Sequence, residues 1–148
     1  MTDITDHHWL QQAIDLSLQC PPSSTAFSVG AIVVDITGEV LATGYSRETD
    51  PHDHAEEIAL SKISAADPRL AEATIYSSLE PCSKRASRPR TCTELILAAG
   101  IRRVVFAWRE PLVFVDCEGS ELLSAAGADV VELSDLADQV RALNAHVL

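Results

Sequence analysis

His54 and Glu56 stand two positions apart in the stretch DHAEE (53–57), pairing a metal-capable imidazole with a carboxylate. Further along lie Pro81-Cys82 and, ten positions later, Cys92. One imidazole and two thiolates form a zinc shell of three protein ligands, which leaves the fourth tetrahedral position open for water. Thiolates favour zinc over magnesium or calcium. A carboxylate outside the shell can then take a proton from the bound water, whose pKa the metal brings near neutral; Glu56 is the candidate for that role. Glu57 would point about 100° away on a helix and is expected to face solvent. The competing use of the same trio is a structural zinc, which would close its fourth position. His52 or Cys117 could supply that ligand, although His52 is expected to shape access from a loop and Cys117 to pack at a helix start. Cys20, ahead of two prolines, is expected to be inert.

Such side chains need elements to aim them, and the hydrophobic pattern alternates between helical and strand periods without internal repeats. Trp9, Leu10, Ala13, Ile14 and Leu18 recur at helical spacing before Pro21-Pro22, which predicts a first helix over 6–19 with Trp9 in the core. VGAIVVDI (29–36) and EVLATGY (39–45), joined by Thr37-Gly38, read as a hairpin. A helix over 54–66, a strand over 73–79, a helix over 92–100 closed by Gly100 and a buried strand over 102–108 follow. The tail adds a helix near 118–126, a strand over 128–133 and a final helix capped by Ser134 or Asp135. The fold class is α/β, with five strands covered by helices. In such sheets ligands gather at the carboxyl ends of strands, where helices begin. Asp53 is expected to cap the helix carrying His54 and Glu56. Pro81 is expected to open a helix whose dipole favours the Cys82 thiolate, and Thr91-x-x-Glu94 is a capping box that places Cys92 at another helix start.

Bulk properties set the frame. A chain of 148 residues with 47% hydrophobic content fits one domain, 1–148, that builds a core without staples. No apolar run reaches membrane-span length, and MTDITDHHWLQQ has no basic or apolar leader pattern, so a cytoplasmic protein with thiols rather than disulfides is expected. The formal net charge of −11 argues against a nucleic-acid partner. Seven of the eleven Lys and Arg residues nevertheless fall between positions 84 and 109. Lys84, Arg85, Arg88 and Arg90 could hold a phosphate by charge-assisted hydrogen bonds; the plainer alternatives are a solvated loop or a subunit contact.

At His54-Ala55-Glu56 and Pro81-Cys82 the sequence resembles the cytidine deaminase superfamily, whose zinc signature is His-x-Glu followed by Pro-Cys-x-x-Cys. Ten positions rather than three separate the cysteines here. That spacing resembles the pyrimidine deaminase domain of riboflavin biosynthesis, with its loop of the type PCSHxGRTPPC; this chain has PCSKRASRPRTC, one residue longer. The resemblance extends over the first helix, SVGAIVVD, the Gly44 turn, SSLEPCS and ELILAAGIRRVVFA. It implies a three-layer α/β/α fold with a mixed five-stranded sheet, one zinc on His54, Cys82 and Cys92, and Glu56 as proton carrier in hydrolytic removal of an exocyclic amine from a small nitrogen heterocycle. A homodimer is expected, from the resemblance and from apolar stretches such as ELILAAG and ELLSAAGA.

The substrate loops depart from the riboflavin pattern. Its PNPxVG loop and GxH turn are replaced by Ala26-Phe27-Ser28-Val29-Gly30 and Gly44-Tyr45-Ser46. Related enzymes acting on bases or nucleosides place Asn where Ser46 falls. These departures, and a chain ending at 148 without room for a reductase domain, favour an unphosphorylated heterocycle: a free or modified base, an aminopyrimidine or a triazine. A phosphoribosylaminopyrimidine is the alternative, and a noncatalytic zinc domain the third reading. Phe27, Ser28, Ser46 and Trp108 are the candidate substrate contacts, with Phe114 joining from a lid in EPLVFVD. Stacking on a flat ring would suit Phe27 and Trp108; core packing is their other use.

Overall fold

The computed structural model describes residues 4–86, 88–109 and 117–148. Phe114 lies outside them. Five strands form one sheet in the order β2-β1-β3-β4-β5: β1 (Gly30–Val34), β2 (Val40–Tyr45), β3 (Thr74–Leu79), β4 (Arg103–Trp108) and β5 (Asp129–Glu132). β1 pairs antiparallel with β2 and with β3, whereas β3, β4 and β5 run parallel. The sheet is therefore mixed, as expected. The hairpin turn falls at Thr37-Gly38, where Gly38 takes φ 91° and Asp35 accepts hydrogen bonds from the Thr37 and Glu39 amides.

Period-two alternation sends side chains to both faces and builds two cores. Val33, Ile75 and Val104 pack with Ala55, Ala59, Ile96 and Leu123 on one face, beneath α2 (Ala55–Ser61), α3 (Cys92–Ala99) and α4 (Gly119–Ala125). Ile32, Val34, Tyr76 and Val105 pack on the other with Leu10, Ala13, Ile14 and Val140, from α1 (Ile4–Leu16) and α5 (Ala137–Leu143). The result is a three-layer α/β/α arrangement.

Several boundaries differ from the sequence reading. The first helix ends at Leu16 and tightens into a 3-10 turn over Ser17–Gln19, which leaves Leu18 exposed rather than on the core face. The second helix stops at Ser61, and the chain passes through a 3-10 turn over Pro68–Glu72 to reach β3. Ser134–Leu136 forms a 3-10 turn, so α5 starts at Ala137 with no side-chain cap from Ser134 or Asp135. No helix opens at Pro81; residues 80–86 and 88–90 are irregular, and Thr91 then caps α3 through its hydroxyl and Glu94, as its sequence implied.

Gly44 fixes where α2 can lie. A Cβ there would collide with the Ala55 carbonyl and the Ala59 amide, so only glycine lets the helix rest directly on β2. The start of α2 is thereby held beside the carboxyl end of β3.

Candidate metal centre

Cys82 follows β3 in an irregular segment, Cys92 opens α3, and His54 is the N-cap of α2 with extended backbone. The three converge. His54 Nδ1 lies 3.6 Å from Cys82 Sγ and 3.3 Å from Cys92 Sγ, and the ligand atoms of the trio all fall within 4.8 Å of one another. Tetrahedral zinc with ordinary Zn–S and Zn–N lengths separates its ligand atoms by about 3.5–3.8 Å, so this donor set fits the ion. Among the described residues no fourth His, Cys, Asp or Glu joins the cluster. Cys117 instead donates to the Pro81 carbonyl, and Cys20 to that of Val29.

Asp53 is not the cap of α2. Its Oδ2 accepts from the Thr49 amide and hydroxyl and the Asp50 amide, each at 2.8 Å, so it folds back onto its own loop. His54 takes the cap position, and its amide donates to Glu57 Oε1. Nor does Cys82 have a helix of its own. The Cys92 amide, first in α3, donates to Cys82 Sγ at 3.2 Å, so α3 supplies across the loop the helix-start field expected from Pro81.

The electrostatics suit a cation. The hydrogen bond from Cys92, followed by contact with His54, holds the Cys82 thiol down at about 4 against the opposing effect of burial. Cys92 is pushed well up, first by Cys82 and then by burial, so the pair shares one proton that a dication would expel. Burial disfavours the charged form of His54, but contact with Cys82 overrides it and raises its pKa. Glu56 is buried, and burial followed by the Cys82 charge lifts its carboxyl to about 6; a bound dication opposes that shift. Ser77 Oγ donates to Glu56 Oε2 at 3.3 Å and orients it.

His54, Cys82 and Glu56 open into a cavity of about 260 Å³ also lined by Phe27, Ser46, His52 and Arg47, among others, with Cys92 buried behind it. Of the proposed substrate contacts, Phe27 and Ser46 are in the wall. Ser46 is largely committed elsewhere, because its hydroxyl accepts from the Val29 amide at 2.9 Å. Trp108 is not in the lining; it packs edge-on behind Phe27 with ring centroids 6.0 Å apart. Ser28 is also outside it, tied to Asn144 and Arg47.

Those placements, with a zinc-compatible trio beside a buried carboxylate, agree with a family-wide match: residues 3–108 fit the cytidine and deoxycytidylate deaminase zinc-binding region. The chain belongs to that family. Zinc is accordingly its metal, on the His54, Cys82 and Cys92 cluster. Within the deaminase family, the chain is 40% identical over 134 residues to the diaminohydroxyphosphoribosylamino-pyrimidine deaminase of Schizosaccharomyces pombe, covering 89% of this chain and 33% of the relative. Its fold superposes on the Thermotoga maritima diaminohydroxyphosphoribosylaminopyrimidine deaminase/reductase with TM-score 0.83 at 30% identity, covering 95% of this chain and 39% of that one. The Aspergillus oryzae Rib2 deaminase in complex with DARIPP matches with TM-score 0.81 at 26% identity, over 97% of this chain and 92% of that one. The chain spans about a third of the length of the curated relatives it matches.

Three features escaped the sequence reading. Glu57 is not directed to solvent: Arg85 and Arg88 each donate to its Oε1 at 2.8 Å. Arg85 and Arg88 are consequently neither a solvated surface nor open cations; Arg88 also reaches Asp50 and Asp53. Arg47, an isolated arginine with no motif around it, lines the cavity and has φ 59°. Its guanidinium donates to the carbonyls of Pro21 and Phe27 and to Ser28 Oγ, with no carboxylate partner among the described residues.

Proposed function

We propose that the chain is a zinc-dependent hydrolytic deaminase of an aminopyrimidine bearing a phosphoribosylamino group. The observation that carries the reaction class is Glu56, buried against the His54, Cys82 and Cys92 trio at the floor of an open cavity. The substrate class is supported by the name of the fission-yeast relative and by Arg47, whose charge faces no carboxylate among the described residues.

The bound zinc would supply an acidified water at the open coordination position. Glu56 takes the water proton while the water oxygen bonds to the amine-bearing ring carbon, and the carboxyl then passes that proton to the neighbouring ring nitrogen. As the exocyclic C–N bond breaks, the departing nitrogen takes the second proton and leaves as ammonia. Ser77 keeps the carboxyl oriented, and the Phe27 ring offers an apolar wall for the heterocycle.

One observation favours the second reading, a small unphosphorylated heterocycle. Arg85 and Arg88, the loop cations nearest the ligands in sequence, already face Glu57, Asp50 and Asp53. Arg47 is the cation that separates the two readings. Metal-replete protein is assayed for ammonia release from the phosphoribosylaminopyrimidine, its dephosphorylated form, the free aminopyrimidine, cytosine and dCMP. The phosphorylated aminopyrimidine is expected to be used best, with Arg47→Ala raising its KM about 10-fold or more, as one lost charge-assisted bond implies. Preference for the free aminopyrimidine, unaffected by Arg47→Ala, would instead establish the unphosphorylated substrate.

We also infer a homodimer and a single domain over 1–148. Partial exposure of Leu97 on α3 and Leu122 on α4 supports the first, and the single sheet shared by all described strands supports the second. No described helix is long and apolar enough to cross a membrane, and a cytoplasmic location remains part of this proposal.

A further inference from the structure

Nine residues of loop separate Cys82 from Cys92, too long for the backbone alone to fix the distance between two ligands. His54 comes from a different element altogether. The side chains that join these parts are therefore candidates for setting the metal geometry, and the densest such group centres on Glu57.

We propose that Glu57, acting with Arg85 and Arg88, is a positioning residue that locks the cysteine loop onto the start of α2 and so sets how firmly zinc is held. The proposal rests on the zinc reading given above. Glu57 Oε1 accepts from Arg85 at 2.8 Å, from Arg88 at 2.8 Å and from the His54 amide at 3.4 Å. One carboxylate oxygen thus touches the backbone of one ligand residue and two side chains of the loop between the others. Arg85 also donates to the His52 carbonyl at 2.7 Å, two residues before the imidazole ligand. Arg88 reaches Asp50 at 3.1 Å and Asp53 at 3.2 Å, extending the tie along the segment that leads into α2.

Burial gives these ties weight. The Arg85 side chain is 2% exposed and that of Glu57 is 18% exposed, so their pairing is shielded from the screening that makes surface ion pairs nearly neutral. Removing Glu57 does two things at once. It frees the loop from α2, and it leaves the Arg85 guanidinium buried without this carboxylate, near a site that must accept a dication. Both effects weaken metal retention. Outer-shell partners of metal ligands have this kind of influence, with about 10- to 100-fold effects on affinity.

The experiment follows zinc transfer to a chromogenic chelator, without substrate and well below the unfolding temperature. Wild type, Glu57→Ala and Glu57→Gln are compared with Asp6→Asn, which disrupts a separate ion cluster. Glu57→Ala is expected to lose zinc about 10- to 100-fold faster than wild type. Glu57→Gln, which keeps an acceptor oxygen but not the charge, is expected to fall between them and decides the matter should the alanine variant fail to fold. Asp6→Asn is expected to lower thermal stability while releasing zinc at the wild-type rate. Wild-type release from the Glu57 variants, or equal acceleration in Asp6→Asn, would overturn the proposal. Elemental analysis of wild type separates the two readings: absence of zinc overturns both, whereas one zinc per chain with unaltered release overturns the positioning role alone.

Discussion

The two ends of the parallel strands carry cavities of different character. At the carboxyl end of β3, about 260 Å³ is lined by His54, Glu56 and Cys82. At the amino end, about 410 Å³ is lined by Asp6, Tyr76 and Arg103, among others. The larger cavity lacks the zinc-compatible trio. Asp6 accepts from Arg103 at 2.8 and 2.7 Å and from the Tyr76 hydroxyl at 2.8 Å, so the charged groups there satisfy one another. Burial and then the hydrogen bond to Asp6 push the Tyr76 hydroxyl far up, and Asp6 likewise raises Arg103; neither group titrates near neutrality. At the other end, before metal binds, burial raises Glu56 to about 6 beside Cys82, whose thiol is held down by Cys92 and His54. A buried carboxylate beside a zinc-compatible trio, rather than volume, distinguishes the carboxyl end.

The largest effect should come from the carboxylate on which that contrast depends. Glu56→Gln is expected to retain one zinc by elemental analysis and to lose about 10² to 10⁴ in turnover, the usual range for a positioned acid-base group. Near-normal turnover with zinc intact would remove Glu56 from the mechanism. The metal assignment is broken separately: zinc kept at full stoichiometry after both Cys82→Ala and Cys92→Ala would exclude that donor set.

A smaller effect, of a different kind, is expected at the amino end. Asp6→Asn leaves the Arg103 charge without its buried partner and should cost about 3 kcal/mol in urea denaturation, near the lower range for breaking such pairs because Arg103 is partly exposed. Turnover per folded molecule should stay near wild type. A drop in turnover at unchanged stability would mean that the amino end takes part in the chemistry after all.

The two ends were also unequally legible in the sequence. His54-x-Glu56 and the Thr91-x-x-Glu94 cap are local patterns, and Cys92 accordingly sits where its spacing placed it. Cys82 does join the cluster, but for a partly mistaken local reason, because the helix start that favours its thiolate belongs to α3 across the loop. Asp53 looked like a cap, but Thr49 and the Asp50 amide compete for its carboxylate. Glu57 was assigned to solvent by helical angle alone, since periodicity cannot foresee two arginines arriving from some thirty residues away. The Asp6–Arg103 pair, joined across 97 positions, left no local signal either. The sheet fared better, because alternation of apolar residues is itself local and both cores require it.

The smallest predicted effect concerns Lys84 and Arg90, the two cations of the basic loop that the Glu57 cluster does not use. Both are exposed, neither forms an ion pair among the described residues, and neither lines the reactive cavity. Solvent and salt screen such charges at short range, so their help to a phosphate outside direct contact should be slight. Replacing both by Ala is therefore expected to change the KM for the phosphoribosylaminopyrimidine by less than about 2-fold at physiological salt, against about 10-fold for Arg47→Ala. Steady-state kinetics on the two variants side by side makes the comparison. A 10-fold rise in KM for Lys84→Ala/Arg90→Ala, with Arg47→Ala silent, would place the phosphate over the loop. A charge that selects the substrate would then lie outside the cavity wall, and Arg47, hydrogen-bonded to carbonyls and Ser28 but facing no carboxylate among the described residues, would not be the phosphate contact.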